Sequence, residues 1–180
     1  MNVFVAGPRV LKSLNEDVKH RLVSLKNKNI TVLVGDANGI DRLTQQHFSD
    51  LNYKNVIVYA SAGKVRNNIG NWKVKNVKVE DNLKGFNFYA AKDIQMAEDA
   101  DYGFMIWNGR SKGTLNNMIN LLNRSKKVLL YFAPNGHFYN IEALDMLEKF
   151  LNSMCHREVL DTYHNLTGSD VKQISFSNMH

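Results

Sequence analysis

The sequence predicts an α/β fold: a single domain built on one mainly parallel, doubly wound sheet with helices on both faces. Three observations lead there. Short continuous apolar runs rich in Val, Ile and Leu recur along the chain, amphipathic segments of helical period separate them, and glycine-bearing turns stand where several runs stop. Strands buried on both faces lose the alternation of a half-exposed strand, and parallel neighbours need a crossover helix between them. At 180 residues the chain has room for about one domain.

The elements follow in order. Val3-Phe4-Val5-Ala6 is the first strand and stops at Gly7-Pro8-Arg9. Leu14, Val18, Leu22 and Leu25 recur at helical spacing, and Asn27-Lys28-Asn29 ends that helix. Ile30-Thr31-Val32-Leu33-Val34 is the second strand, broken by Gly35-Asp36-Ala37-Asn38-Gly39. A helix from Asp41 turns Leu43, Phe48 and Leu51 inward, and Val56-Ile57-Val58-Tyr59 is the third strand. Residues 61–85 read as a long insertion with one edge strand, where Lys73, Lys75 and Lys78 alternate with apolar residues and guard the edge against pairing. The next helix, residues 86–99, presents Ala90, Ile94 and Ala97 on one face. Tyr102-Gly103-Phe104-Met105-Ile106-Trp107 is a strand, residues 108–113 a loop, and the helix after it buries Leu115, Met118, Ile119 and Leu122. Val128-Leu129-Leu130-Tyr131-Phe132 closes a sheet of five or six strands, and a final helix carries Leu144, Leu147, Leu151 and Met154. Right-handed crossovers make this a Rossmann-like domain over residues 1–160. The polar tail, residues 161–180, is expected as a short appended strand or a partly mobile stretch.

Composition removes several classes of protein. With 44% hydrophobic and 22% charged residues the chain is not disordered, and no apolar run approaches the roughly 18 residues of a membrane span. The N-terminus enters a strand directly, without the basic region and long apolar core of a signal peptide, which points to a cytoplasmic location. The single cysteine, Cys155, cannot form an internal disulfide or a multi-cysteine zinc site, and the six histidines show no paired spacing. Neither a metal nor a resident cofactor is expected. Cys155 reads as a packing residue, as do the Tyr and Phe side chains. The net charge of +6 favours anionic partners, but the basic residues are spread along the chain and no aromatics interleave with residues 72–79, so nucleic acid is not the expected partner.

In an open parallel sheet ligands bind beyond the carboxyl ends of the strands, at the switch in strand order. Three turns qualify: Gly7-Pro8-Arg9, residues 35–42, and residues 108–114. In the second, Gly35 and Gly39 allow close backbone approach, Asp36 and Asn38 lie between them, Asp41 caps the helix or accepts a ribose hydroxyl, and Arg42 pairs with phosphate. A plain strand–turn–helix capped by Asp41 fits the spacing equally well. The third turn, Trp107-Asn108-Gly109-Arg110-Ser111-Lys112-Gly113-Thr114, gathers two glycines, two hydroxyls and two cations at a strand-to-helix junction. Ser111 and Thr114 suit a phosphate or a cap, Gly113 leaves room for a ligand, and Trp107 offers an aromatic wall. Lys92 and Asp93 either turn inward toward the same pocket or remain solvated.

These motifs resemble the SLOG superfamily, the Rossmann-like group uniting the SMF/DprA proteins and the Lonely Guy phosphoribohydrolases, and most of all its small YspA-type branch. The resemblance covers roughly residues 3–150. It rests on Val5-Ala6-Gly7-Pro8-Arg9, on residues 35–42, on Lys92-Asp93-Ile94-Gln95-Met96-Ala97, and on residues 107–114. It implies a nucleotide or nucleotide-derived ligand near Gly7 and Arg9, with phosphate or ribose at residues 35–42 and phosphate at residues 111–114. Some members cleave N-glycosidic bonds, others sense nucleotide signals including those of antiviral defence, and relatives commonly assemble as homo-oligomers. Related glycosidases carry a glutamate three residues after the Thr of the Gly-Thr pair, where this chain has Asn117. An amide cannot act as nucleophile or general base.

The expectation is therefore a protein that binds an ADP-ribose-like or cyclic nucleotide, as sensor or sponge, without turning it over. The alternatives are a nucleotide N-glycoside hydrolase or transferase using Asp36 or Asp41, and a single-stranded nucleic-acid binder.

Overall fold

The computed structural model describes the backbone of residues 1–177 and the side chains of residues 1–168. Its parallel strands are β1 (Asn2–Ala6), β2 (Thr31–Gly35), β3 (Val56–Ser61), β4 (Lys73–Val77), β5 (Tyr102–Trp107) and β6 (Val128–Phe132), and β7 (His137–Ile141) runs antiparallel. The helices are α1 (Glu16–Asn27), α2 (Ile40–Asp50), α3 (Gly85–Asp99), α4 (Lys112–Asn123), α5 (Leu144–Met154) and α6 (Arg157–Ser177). One seven-stranded sheet has the order β4-β3-β2-β1-β5-β6-β7, so the fold is α/β and Rossmann-like. The winding reverses between β1 and β5, which pair in register Val3 to Tyr102 through Ala6 to Met105.

Each face of the sheet has its own core. Val3, Val5, Val32, Val34, Val58 and Phe104 pack under α1 and α2, while Phe4, Leu33, Tyr59, Met105 and Trp107 face α3 and α4. Because β1, β2 and β5 are covered on both sides, their apolar runs are nearly continuous, as parallel pairing requires. Edge strand β4 exposes Lys73 and Lys75, the expected guard. Among the described residues no helix is long and apolar enough to cross a membrane.

Four details differ from the sequence reading. The sheet has seven strands, because the turn at residues 133–136, with Gly136 at φ +70°, returns the chain as the hairpin strand β7. In α2, Leu43 and Leu51 are only half-buried, and Asp41, Thr44 and Gln45 join Ile40 and Phe48 on the inner face. In α3, Ile94 is exposed and the buried stripe is Lys92, Met96 and Ala97. Both helices bury polar groups because both meet above the carboxyl ends of the strands, where partners for those groups converge. The tail holds no appended strand among the described residues: α6 carries Val159 and Tyr163 into the core and Leu160 and Leu166 against it. Tyr163 also donates to the Leu144 carbonyl at 3.2 Å. Residues 178–180 lie outside the described part. Cys155 caps α5 half-buried, and burial pushes its thiol up to about 11, which suits packing rather than attack.

Because Tyr163 is 4% exposed, Tyr163→Ala is expected to destabilise the protein by about 3–5 kcal/mol. Urea unfolding checks this, and a change below about 1 kcal/mol would show that α6 is not part of the cooperative core.

Candidate functional site

The turns after β1 and β2 are interlocked. Gly39 has φ +74°, and a Cβ there would stand 2.5 Å from the Pro8 carbonyl and the Arg9 backbone, so only glycine lets the two turns touch. The Ile40 N–H donates to the Pro8 carbonyl at 3.2 Å, and the Ala37 N–H to Asp41 Oδ2 at 3.2 Å. Two backbone donors of this turn, on Ala37 and Ile40, are thus engaged within the protein, and a carboxylate stands beside them. Asp36 is bound elsewhere. Its carboxylate accepts from the Arg66 guanidinium at 2.6 Å and from the Arg66 N–H at 3.0 Å. Burial opposes the Asp36 charge, but those hydrogen bonds and the guanidinium charge hold the carboxyl below its ordinary value. Gln45 completes the clamp, donating to the Gly35 and Asn67 carbonyls and accepting from the Ile69 N–H.

The turn after β5 is built differently. The Asn108 side chain accepts from the Arg110 and Ser111 N–H groups at 3.1 and 3.0 Å, forming an Asx turn. Ser111 caps α4 by accepting from the Thr114 N–H at 3.3 Å. Trp107 is fully buried, and its Nε1 donates to the Ser111 carbonyl at 3.0 Å, so it props the loop from beneath instead of forming an aromatic wall. A Cβ on Gly113 would meet nothing nearer than Ser111 Oγ at 4.0 Å, which leaves the start of α4 open. The Lys112 and Gly113 N–H groups precede the first intrahelical bond and make this start electropositive.

Between these turns, α3 and α4 lies a cavity of about 630 Å³. Of the residues proposed from sequence, Gly7, Pro8, Arg9, Asp41, Lys92, Asp93, Asn108, Ser111, Gly113 and Thr114 line it. Gly35, Asp36, Asn38, Gly39, Arg42, Trp107, Gly109 and Lys112 do not. Gly35 and Gly39 act from behind by making room. Asn38 accepts from Asn67, Arg42 is exposed on α2, and Gly109 packs against Phe132. The Lys112 ammonium stands 4.4 Å from the Phe86 ring centroid, at the edge of the mouth.

The sequence reading missed Phe86 and Tyr89, which it assigned to packing. Both line the cavity and are more than a third exposed, and the Arg9 and Arg66 guanidiniums stand 4.9 and 5.1 Å from the Tyr89 ring centroid. The available signal was the aromatic run Phe86-Asn87-Phe88-Tyr89 directly after Gly85, out of register with the Met96 and Ala97 stripe. Arg110 and Asn117 also line the cavity. Among the described residues Arg9, Arg110 and Lys112 form no ion pair.

The floor joins three helices. Lys92 Nζ is 2.7 Å from Asp93 Oδ1, and the Asn117 amide, oriented by its neighbours, donates to Asp93 Oδ2 and to the Gly113 carbonyl at 3.3 Å. A Cβ on Gly35 would overlap the Asp41 carboxylate and stand 2.8 Å from Lys92 Nζ, so the bare Cα is the seat for both groups. Burial opposes the Lys92 charge, but Asp93 and Asp41 outweigh it and hold the ammonium above its ordinary value. Burial also raises the Asp41 carboxyl, to about 6, against the pull of Lys92.

No protein-family model matches the chain, and no curated protein matches it. Among solved structures it is similar to DNA processing protein A from Helicobacter pylori, a structure reported for its single-stranded DNA binding mode. The TM-score is 0.57 at 11% sequence identity, over 94% of this chain and 81% of that one. At such identity the likeness shows a shared fold.

The Asp41 value fixes the sign of a pH effect. The folded state holds this proton more tightly than the unfolded chain, whose carboxyl titrates near 3.8, so the group's contribution is complete below that value and is lost as pH rises through about 6. Asp41→Asn, which has no carboxyl to ionise but also lacks the charge facing Lys92, is therefore expected to lose less stability than the native chain as pH rises from about 4 to 7, by on the order of 2–3 kcal/mol. Urea midpoints across this range check it, and a pH-independent difference would refute it.

Proposed function

We propose that the cavity binds a nucleotide or nucleotide-derived signalling molecule and that the protein serves as its sensor or sponge. One observation carries the reading. A single cavity of nucleotide size brings together an open helix start, cations without a carboxylate partner and exposed aromatic rings, with Arg9 against Tyr89 and Lys112 against Phe86. Phosphate oxygens accept from the first turn of α4 and from Arg9 and Arg110, while a base lies against Phe86 and Tyr89. The motif intervals that set the chain beside the YspA-type branch support the same reading. In calorimetry with AMP and ADP-ribose, at least one is expected to bind, and Arg9→Ala and Arg110→Ala each weaken it roughly tenfold. The absence of binding to either at high micromolar concentration overturns the reading.

A second reading, hydrolysis of the N-glycosidic bond, draws on the carboxylates of the floor. Asp36 is committed to Arg66, but Asp41 lines the cavity with a raised value suited to proton donation, and Asp93 stands in the same cavity. It predicts release of free base from nucleoside monophosphates and its loss in Asp41→Asn. Substrate left intact after long incubation at high protein concentration excludes it. Single-stranded nucleic acid ranks below both. Of the five basic residues at 64–78, Arg66 is paired with Asp36 and Lys75 with Asp99.

A further inference from the structure

The cavity separates its charges. Its mouth carries Arg9, Arg110 and the start of α4, whereas its floor carries Asp41 and Asp93 around Lys92. A phosphate, which only accepts hydrogen bonds, is repelled by two carboxylates and belongs at the mouth. The floor needs a group that donates and accepts together.

Asp41 makes the demand specific. It is 7% exposed, and its only hydrogen bond among the described residues brings the Ala37 N–H to Oδ2. Oδ1 accepts no hydrogen bond among the described residues, and Asp41 lines the cavity. Asp93 has its two oxygens turned to Lys92 and Asn117, and each keeps a second lone pair. The Lys92 ammonium has three donors, of which Asp93 takes one. Acceptors on both sides of a donor match two neighbouring hydroxyls, each giving its proton to a carboxylate and together receiving one from the ammonium.

We infer that the floor is a polyol subsite and that the guest is a nucleotide whose ribose retains a free 2′,3′-cis-diol, held by Asp41, Lys92 and Asp93. The inference rests on the nucleotide reading and narrows it. ADP-ribose-like molecules fit, and nucleotides cyclised through a ribose hydroxyl do not. The diol also fixes orientation, with the sugar on the floor, the phosphate toward α4 and the base against Tyr89. A sugar lacking one hydroxyl leaves a buried acceptor without a donor, a larger loss than the missing contact alone.

The test first compares ligands on the native protein. Calorimetry with AMP, 2′-deoxy-AMP, 3′-deoxy-AMP, 3′,5′-cyclic AMP and ADP-ribose is expected to show about tenfold to a hundredfold weaker binding for each diol-deficient probe than for its diol-bearing counterpart. In Asp93→Asn the preference for AMP over 2′-deoxy-AMP is expected to shrink. Equal affinities for AMP and its deoxy and cyclic forms overturn the diol subsite and leave the nucleotide reading standing. Silence from all five probes overturns the nucleotide reading and the subsite with it.

Discussion

A lysine ammonium taken almost wholly out of water organises this molecule around its cavity. Burying such a charge is strongly unfavourable unless carboxylates and hydrogen bonds surround it. Lys92 finds them only where three helices meet: Asp41 from α2, Asp93 beside it on α3, and Asn117 of α4 bracing Asp93 from the far side. The arrangement requires a bare Cα at Gly35, because any side chain there would occupy the space of both charged groups. The end of β2, the start of α2 and the middle of α3 are thereby held in one relative position. The cavity above them is the space that results.

The same constraint explains why two similar-looking turns behave differently. Both the residue 35–42 turn and the residue 108–114 turn run from a buried strand into a helix. At the first, Gly39 presses against the Pro8–Arg9 backbone, Pro8 and Asp41 take up nearby N–H groups, and the Arg66–Asp36 pair with Gln45 holds the β3–β4 insertion on top. At the second, Ser111 and Asn108 satisfy the loop locally, Trp107 supports it from the core, and Gly113 faces open space. One helix start is closed and acidic, and the other is open and basic. In the proposed function, that contrast is what sorts the anion of a ligand from its hydroxyls.

Much of this architecture was legible in the residues. Unbroken apolar runs placed β1, β2, β3, β5 and β6, and the lysines of β4 marked an edge, because burial on two faces and exposure at an edge each leave a local pattern. The helix faces of α2 and α3 were less legible. Periodicity counts apolar residues, so it assigned Leu43 and Ile94 to the interior, whereas the true inner faces include Gln45, Asp41 and Lys92. The partners of Gln45 lie 10 to 24 positions away, and Asp41 faces Lys92 from another helix, so the local pattern announces neither, although Lys92 also has Asp93 beside it. The β6–β7 hairpin was missed because exposed strand residues such as His137 and Asn140 carry no apolar signature.

The chain alone determined the layered sheet, the winding reversal and the end of the sheet at which the glycine-bearing turns gather, since these follow from local hydrophobicity and from the handedness of crossovers. Tertiary structure alone decided which glycine turn stays open, that Phe86 and Tyr89 form the mouth, and that Asp41, Lys92 and Asp93 share one floor. Those outcomes depend on distances between side chains from separate elements and on how far each charge is removed from water, and neither quantity exists until the helices have docked.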